Sequence, residues 1–426
     1  MATLSILGGR VIDPASHLDS VTDLHIANGK IVSIGTPPAD FSADEQIDAK
    51  DQIICPGLVD LSVRLREPGA KHKGTILSET RAAAANGITT LCCPPDTNPV
   101  IDTPAVAELL QHRAADAGMA KVLPLAALTL GLKGEQLAEM GELKEAGCIG
   151  VSNVLPIINT NVFRHALEYA ANCNLTVFLS AQEPWLSAKG NAHEGPISTR
   201  LGLTGIPETA ETIEVARDLL LIEMTGVRAH FCRLSTARAV EMIQQAQTKG
   251  LPVTADISAH HLFLTDQDIH DYNSQCHVMP PLRSQHDKAG LRDGLQHGHI
   301  NAICSDHQPH EADAKLTPFA LAAVGISALD TLLPLTLRLA EDMQIDLMTL
   351  LGTVTCQPAQ ILGIEAGTLA VGSTADVCIF DPNSCWTLSD ENMHSIGHNS
   401  PFLGWEFNGK VTYTLINGKV VYTLLK

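Results

Sequence analysis

A short segment near residue 306 holds the residue types that bind metal ions and transfer protons. Residues 305–310, Ser-Asp-His-Gln-Pro-His, carry one carboxylate and two imidazoles, and His260, His261 and His277 supply three more imidazoles. Imidazole and carboxylate are the usual ligands of catalytic zinc. None of these histidines has the H-E-x-x-H spacing of a helical zinc motif, so their spacing alone does not predict a metal site.

Three arginines follow apolar stretches of the chain. Arg64 and Arg66 alternate with valine and leucine, and Arg233 follows His-Phe-Cys. A guanidinium stays protonated in proteins and can bind a carboxylate or a phosphate through two parallel hydrogen bonds. These arginines therefore either bind a small anion or pair with carboxylates of the chain, and for Arg66 the nearby carboxylates are those of Glu67 and Asp96.

The elements that position these residues alternate between apolar stretches and segments of helical spacing. The predicted strands are 57–65, 87–93, 122–130, 148–152, 176–180, 227–232, 252–257 and 301–305. Helices are predicted over 207–225 and over 236–249, the second with Ser235 as its N-cap. Eight apolar strands separated by helices predict an α/β fold with a (β/α)8 TIM-type barrel, and a doubly wound open sheet is the alternative. Active sites of such barrels lie at the carboxyl ends of the strands.

The two ends of the chain have a different pattern of short strands and tight turns. Asn28-Gly29 and Asn417-Gly418 each lie between apolar β-type residues, which is typical of hairpins. We therefore expect one small β domain built from both termini. The predicted boundaries are 1–55 for its first part, 56–365 for the barrel and 366–426 for its second part.

Composition excludes several classes of function. The 426 residues include 28 Lys+Arg and 47 Asp+Glu, a formal charge of −19, which argues against a nucleic-acid or anionic-membrane surface. No apolar run approaches the ~20 residues of a membrane span, and no signal peptide is evident, so a cytoplasmic location is expected. The 11 cysteines contain no C-x-x-C pair, and neither a disulfide framework nor a zinc ribbon is predicted. Cys92-Cys93 is interpreted as core packing.

Several segments together resemble the dihydroorotases of the amidohydrolase superfamily, over essentially the whole chain. They are 56–69 (PGLVDLSVRLREPG), 95–99 (PDTNP), 279–283 (MPPLR) and 305–310 (SDHQPH). The resemblance implies a barrel with a small β domain from both ends. It also implies reversible ring closure of carbamoyl-aspartate to dihydroorotate, in which zinc polarises a carbonyl and supplies a hydroxide.

The positions that match the family's metal ligands have changed. The family's first strand ends D-x-H-x-H-x-R, whereas this chain has Asp60, Ser62, Arg64 and Arg66. The bridging carboxylate or carboxylated lysine matches Asn153, the fifth-strand histidine matches Ser180, and the sixth-strand histidine matches Arg233; only the eighth-strand acid, Asp306, remains. Serine is a poor zinc ligand and arginine is none, so no bound zinc and no catalytic residues are predicted.

The positions that match the family's substrate-binding residues are mixed. Arg66, which by resemblance binds the substrate carboxylate, is present, and so is His310. Asp96 stands where the family has asparagine, and its charge would repel a dicarboxylate. Because a buried Asp306 without metal would be costly, we predict that Arg64 or Arg233 pairs with it at an N–O distance within ~4 Å.

These departures favour a catalytically inactive member of the family. By resemblance to non-catalytic dihydroorotase-like chains, its partner is the catalytic chain of aspartate carbamoyltransferase, which it would scaffold in pyrimidine biosynthesis as a homodimer within a larger hetero-oligomer. Two alternatives stay open. One is an active amidohydrolase on another cyclic amide, with an altered or relocated metal site, and the other is a sensor that binds a small anion through Arg64, Arg66 and Arg233.

Overall fold

The computed structural model describes residues 3–424, which form two large sheets and the helices packed around one of them. In chain order the strands are β1 (Thr3–Asp13), β2 (Leu18–Ala27), β3 (Lys30–Ile34), β4 (Glu45–Asp48), β5 (Ile53–Pro56), β6 (Leu58–Asp60), β7 (Ile88–Cys93), β8 (Lys121–Ala127), β9 (Gly150–Ser152), β10 (Thr176–Leu179), β11 (Ala192–His193), β12 (Gly205–Ile206), β13 (Ala229–Phe231), β14 (Val253–Ser258), β15 (Ala302–Cys304), β16 (Val377–Thr387), β17 (Glu406–Ile416) and β18 (Lys419–Thr423).

The helices lie mainly between the strands of the second sheet. They are α1 (Ile76–Ala85), α2 (Pro104–Ala117), α3 (Met140–Glu145), α4 (Thr160–Asn172), α5 (Pro184–Ser187), α6 (Pro196–Leu201), α7 (Thr209–Thr225), α8 (Ala237–Thr248), α9 (Gln285–Gln296), α10 (Leu332–Met343), α11 (Leu347–Gly352) and α12 (Cys356–Leu362). No helix among residues 3–424 is both long enough and apolar enough to cross a bilayer.

The second sheet is a parallel barrel. Its neighbours run β6-β7-β8-β9-β10-β13-β14-β15, and every one of these pairs is parallel. Main-chain hydrogen bonds from Arg64 N to His307 O (3.0 Å) and from His307 N to Ser62 O (3.1 Å) join the last strand to the first. The predicted barrel is confirmed, and the open doubly wound alternative is wrong because the two edges meet.

Apolar strands make this barrel because both of their faces are covered. All six residues of β7 are buried, with side chains alternating between the barrel interior and the surrounding helices. Cys92 and Cys93 lie in this strand and are buried free thiols, as predicted. All eleven cysteines are free.

The first sheet combines strands from both ends of the chain. Its order is β18-β17-β16-β5-β1-β2-β3, with β4 paired to β1. The hairpins at Asn28-Gly29 and Asn417-Gly418 have positive φ at all four residues, as type I′ turns require. At Gly87, just before β7, a Cβ atom would lie 2.4 Å from Cys378 Sγ on β16, so glycine lets the sheet and the barrel meet closely.

One predicted helix start is wrong by a residue. The N-cap of α8 is Thr236, whose hydroxyl accepts a hydrogen bond from Ala239 N, and not Ser235. Ser235 instead donates its hydroxyl proton to Glu211 on α7. Because Glu211 also accepts from the main-chain N of Ser235 and Thr236, this buried carboxylate holds α7 against the start of α8.

Candidate functional site

The carboxyl ends of the barrel strands carry the residues that the sequence singled out. Ser62 lies two residues after β6, Asn153 directly after β9, Ser180 directly after β10, and Arg233 and Asp306 two residues after β13 and β15. Apart from Ser180, which is half-buried, all of them are buried. Arg233 and Asp306 both have left-handed backbone conformations, with φ of 54° and 48°. Such conformations are uncommon for residues other than glycine, and here they occur on two adjoining site residues.

Asp306 is the centre of this cluster. Its Oδ1 accepts hydrogen bonds from Arg233 Nη1 at 2.9 Å, from Arg64 Nη1 at 3.3 Å and from Ser62 Oγ at 3.2 Å. Gln308 Nε2 donates to Oδ2 at 3.3 Å. Burial alone would raise the pKa of Asp306, but the charges of Arg233 and Arg64 outweigh it and lower that pKa below its usual value. The predicted arginine pairing of Asp306 is confirmed, and by both arginines.

Arg233 is held from several sides. Its Nη2 donates to Ser180 Oγ at 2.8 Å, and its main-chain N donates to Asp256 Oδ1 at 2.6 Å. Burial would lower the pKa of Arg233, yet the nearby carboxylate of Asp306 raises it above its usual value. The guanidinium is therefore a fixed positive charge inside the barrel mouth.

Arg64 joins two carboxylates. Its Nε donates to Asp96 Oδ2 at 2.7 Å while its Nη1 reaches Asp306. The charge of Arg64 lowers the pKa of Asp96 although burial opposes this. Asp96, Arg64, Asp306 and Arg233 thus form one network of two negative and two positive charges.

Arg66 and His310 stand beside this network. Arg66 donates its Nε proton to Pro309 O at 3.1 Å, and its Nη2 lies 3.0 Å from His310 Nε2. Burial, then the charge of Arg64, lowers the pKa of Arg66 to about 10, and burial, then the charge of Arg66, lowers that of His310 to about 3. Of the two alternatives for Arg66, pairing with Glu67 or Asp96 is wrong: no ion pair joins Arg66 to a carboxylate among residues 3–424.

Asn153 has a local role. Its Oδ1 accepts from Thr129 Oγ1 at 2.6 Å, and its Nδ2 donates to the main-chain oxygens of Leu132 (3.3 Å) and Leu155 (3.0 Å). The amide is thereby used to tie the loop after β9 to the loop after β8. No hydrogen bond of the described residues connects it with Asp306.

The residues at the six former ligand positions do not fit a zinc ion. Asp306 is the one ordinary zinc ligand among them, whereas catalytic zinc takes three protein ligands as a rule. The guanidiniums of Arg64 and Arg233 lie within hydrogen-bonding distance of the same Asp306 oxygen and would repel a dication there. At the positions that the resemblance implies for zinc ligands, the chain has two cations, two serines and an asparagine beside the one carboxylate.

The remaining histidines near the mouth serve the architecture. His307 donates Nε2–H to Glu79 at 2.9 Å and accepts from Ala328 N at 3.0 Å. His261 Nδ1 lies 2.6 Å from Ser258 Oγ, and His277 Nδ1 lies 2.9 Å from Ala322 O. Each of these three imidazoles has its own hydrogen-bond partner, and among residues 3–424 no hydrogen bond joins any of them to Asp306.

A second polar cluster, which sequence reasoning missed, lies inside the barrel below Arg233. It comprises His230, Cys232 and Asp256, whose possible ligand atoms lie within 4.8 Å of one another. His230 Nε2 lies 2.9 Å from Asp256 Oδ2, and its Nδ1 lies 2.8 Å from Thr254 Oγ1. The signal was present: His230 and Cys232 are two apart around the end of β13, and Asp256 is on the neighbouring β14. Because we considered the residues that follow the strands, we missed this cluster, two of whose members lie within β13 and β14.

Comparison with known proteins identifies the family. The protein family described as Dihydro-orotase-like matches residues 51–239, and the one described as Amidohydrolase family matches residues 207–422. A dihydroorotase-like protein of Pseudomonas aeruginosa is 53% identical over 97% of this chain and 98% of its own length. The chain belongs to the dihydroorotase-like amidohydrolase family.

Other members and solved structures agree with this assignment. A protein named dihydroorotase from Geobacter sp. (strain M21) is 42% identical over 97% of both chains. The L-hydantoinase (dihydropyrimidinase) of Arthrobacter aurescens superimposes with a TM-score of 0.88, covering 100% of this chain and 98% of the other at 23% identity. At that identity the likeness supports the shared barrel fold and no more.

Proposed function

We propose that this protein is a catalytically inactive dihydroorotase-like chain that scaffolds aspartate carbamoyltransferase. The proposed loss of catalysis rests on the pairing of Asp306 with Arg233 at 2.9 Å and with Arg64 at 3.3 Å. By resemblance, a dication at this place polarises the substrate carbonyl and supplies a hydroxide. A guanidinium supplies neither a bound hydroxide nor an open coordination position. It therefore cannot perform the part that the metal ion has in the family's reaction.

The pairing also explains how the fold persists without metal. A buried carboxylate that loses its partner costs several kcal/mol or takes up a proton. Arg233 and Arg64 remove that cost, because they neutralise Asp306 from within the barrel. The barrel mouth is thereby a stable structural feature and has no need of a metal ion to hold its charge.

The proposed scaffold role rests on the barrel framework that the chain retains. The barrel is closed and its strands are buried, although the ligand positions have changed. A chain that has lost its chemistry and keeps this framework has a use for its surface. The family resemblance supplies the partner: the catalytic chain of aspartate carbamoyltransferase, in a cytoplasmic hetero-oligomer with an obligate contact of more than ~2,000 Å².

Loss of activity is tested on the purified protein. We expect no stoichiometric zinc by elemental analysis and no interconversion of carbamoyl-aspartate and dihydroorotate. About one tightly bound zinc per chain, together with turnover that a chelator abolishes, would contradict the proposal.

The scaffold role is tested by expressing the transcarbamoylase chain with and without this protein. We expect the transcarbamoylase to reach its full assembly size and activity only in the co-expressed sample, and the two chains to co-elute. A transcarbamoylase that assembles and works equally well alone, and never co-elutes with this chain, rules the role out.

Anion binding is a second candidate with its own observation. Arg66 has no carboxylate partner among residues 3–424 and lines a cleft with Asn98. If the chain is a sensor, carbamoyl-aspartate or dihydroorotate raises its unfolding temperature, and Arg66→Met removes the shift. Arg228→Met, at an exposed arginine, serves as the control.

The enzymatic alternative rests on the cluster of His230, Cys232 and Asp256. If this cluster holds a relocated metal ion, zinc copurifies and is lost from Cys232→Ser together with turnover. Cys385→Ser, at an exposed cysteine, should leave both unchanged. The hydrogen bond between His230 Nε2 and Asp256 Oδ2 argues against this alternative, because a metal ion that bound both atoms would have to break it.

A further inference from the structure

Helix α7 has an apolar face turned toward solvent. Ile213, Leu220 and Met224 are 49%, 67% and 58% exposed, and Ala216 is exposed between them. These residues recur at intervals of three or four, which places them on one side of the helix. The opposite side is buried against the barrel, for example at Ile222. A helix whose outward face is apolar is normally covered on that face.

Exposed apolar residues on neighbouring segments border this face. Trp185 and Leu186 are on α5, and the N-cap residue of that helix, Glu183, donates its main-chain N–H to Ala210 O of α7. Ile158 lies in the loop that Arg217 of α7 fixes through its hydrogen bond to Ile157 O. We group these residues with those of α7 as the α7 patch, and exposed apolar residues grouped in this way are typical of interaction sites.

The charges of α7 are mostly buried or paired with one another. The carboxylates of Glu214 and Asp218 are buried and paired with Arg217, and Glu211 is buried against the start of α8. Glu223 is the one charged residue of α7 that is exposed. The face therefore offers a basic partner almost no complementary charge.

A second copy of the same chain is the partner that the charge distribution favours at the α7 patch. Each chain carries a formal charge of −19, so two copies repel each other wherever acidic surfaces meet. The α7 patch is a surface where that repulsion is absent. Self-association at this place buries apolar area without bringing like charges together.

The order of residues on the helix is also self-complementary. If two α7 helices cross antiparallel about a two-fold axis near residue 218, Ile213 lies opposite Met224 of the second copy. Ala216 then lies opposite Leu220 of that copy, so that apolar side chains face apolar side chains along the whole crossing and the large Leu220 faces the small Ala216. A two-fold interface requires this reciprocity, in which residue i contacts j and j contacts i. Glu223 lies far from its own equivalent in this arrangement.

We propose that the α7 patch is a homodimer interface, in which α7 packs antiparallel against α7 of a second copy. The inference stands on the helix and its charges and does not depend on loss of catalysis or on a transcarbamoylase. It specifies where the homodimer of the proposed assembly forms.

The first test is the oligomeric state of the purified full chain, measured by light scattering and sedimentation over a dilution series. We expect a dimer, and at least about a 100-fold rise in its dissociation constant for Leu220→Glu, because a buried anchor is replaced by a charge in both copies. Leu316→Glu is the matched control, since Leu316 is 79% exposed but lies outside the patch, and it should leave the dimer intact. Circular dichroism checks that both variants fold.

The second test is cross-linking with a short bismaleimide. In the antiparallel arrangement the two copies of residue 216 lie about 7 Å apart along the helix axis and those of residue 209 about 28 Å apart. Ala216→Cys should therefore cross-link at least tenfold more than Thr209→Cys or the unmodified chain. A monomeric wild type, an unaffected Leu220→Glu dimer, or equal cross-linking at both positions overturns the proposal. So does a patch that responds only to added transcarbamoylase, which would then be its partner.

Discussion

Two buried carboxylates of the same barrel have opposite electrostatic surroundings. Asp306, at the mouth, is surrounded by Arg233 and Arg64, and its pKa is lowered. Asp60, at the end of β6, accepts main-chain N–H groups from Ser62 at 3.3 Å and Ser305 at 3.0 Å, but no ion pair joins it to an arginine or lysine among residues 3–424, and burial raises its pKa to about 6. Its Oδ2 has no hydrogen-bond partner among residues 3–424.

The difference shows what keeps a carboxylate ionised inside this barrel. Both groups are fully buried, and both accept hydrogen bonds, so neither burial nor hydrogen bonding separates them. The two carboxylates differ in the guanidiniums of Arg233 and Arg64, which pair with Asp306 and not with Asp60. At the mouth they provide the positive charge that a metal ion would otherwise supply, and their removal should make Asp306 behave like Asp60.

The largest expected effect follows from removing the closer cation. Arg233→Met leaves Asp306 with Arg64 alone and should lower the free energy of unfolding by about 3–5 kcal/mol at pH 7, as when one partner of a buried ion pair is lost. Urea unfolding measures it. Arg228→Met, on an exposed side chain, should change stability by less than ~0.5 kcal/mol. If Asp306→Asn in the Arg233→Met background gives no recovery, the two residues are not coupled.

Removing the mouth carboxylate should have the next largest effect. Asp306→Asn removes the counter-charge of Arg233 and leaves Arg64 with Asp96 as its carboxylate partner, and we expect a loss of about 2–4 kcal/mol at pH 7. Because the pKa of Asp306 is lower in the folded state than in the unfolded state, its contribution is present above about pH 4 and is lost as the pH falls through the folded pKa. Unfolding of both proteins between pH 3 and pH 8 measures this convergence; a constant difference would contradict it.

The same substitution at Asp60 should act in the opposite direction. A folded pKa of about 6 lies above the unfolded value, so ionised Asp60 costs up to about 3 kcal/mol at pH 7. Asparagine keeps an oxygen for Ser62 N and Ser305 N and removes the charge. We expect Asp60→Asn to stabilise the protein by about 1–3 kcal/mol at pH 8 and to lose that advantage by pH 4. Destabilisation at pH 8 would show that Asp60 has a cationic partner after all.

The fold was predictable because apolar runs encode buried parallel strands. All eight predicted strands overlap barrel strands, but the first is much shorter than expected: β6 ends at Asp60, whereas the pattern continued to Leu65. After Asp60 the chain turns to place Ser62 and Arg64 at the mouth, and it reaches a left-handed conformation at Arg66. The apolar pattern does not indicate at which residue a strand stops pairing with its neighbours and the chain turns toward the site.

The candidate site was predictable where opposite charges decide the outcome. The Asp306 pairing followed from charge and position, whereas the role of Asn153 did not, because its partners are main-chain oxygens of two loops. The interior cluster around His230 was missed for a related reason. Its hydrogen bonds depend on the register of β13 against β14, which a single strand does not specify.

The smallest expected effect concerns restoring the family's first-strand ligands. Ser62→His with Arg64→His returns two imidazoles and removes one guanidinium, yet Arg233 remains 2.9 Å from Asp306 and would still repel a dication. We expect no gain of stoichiometric zinc after dialysis against the metal, measured by elemental analysis. The triple variant that adds Arg233→His is the control, since it removes the last cation on Asp306 and restores three imidazoles beside a carboxylate. Zinc bound by the double variant as tightly as by the triple would show that Arg233 does not occupy the electrostatic place of the metal, and the contrast between Asp306 and Asp60 would need another cause.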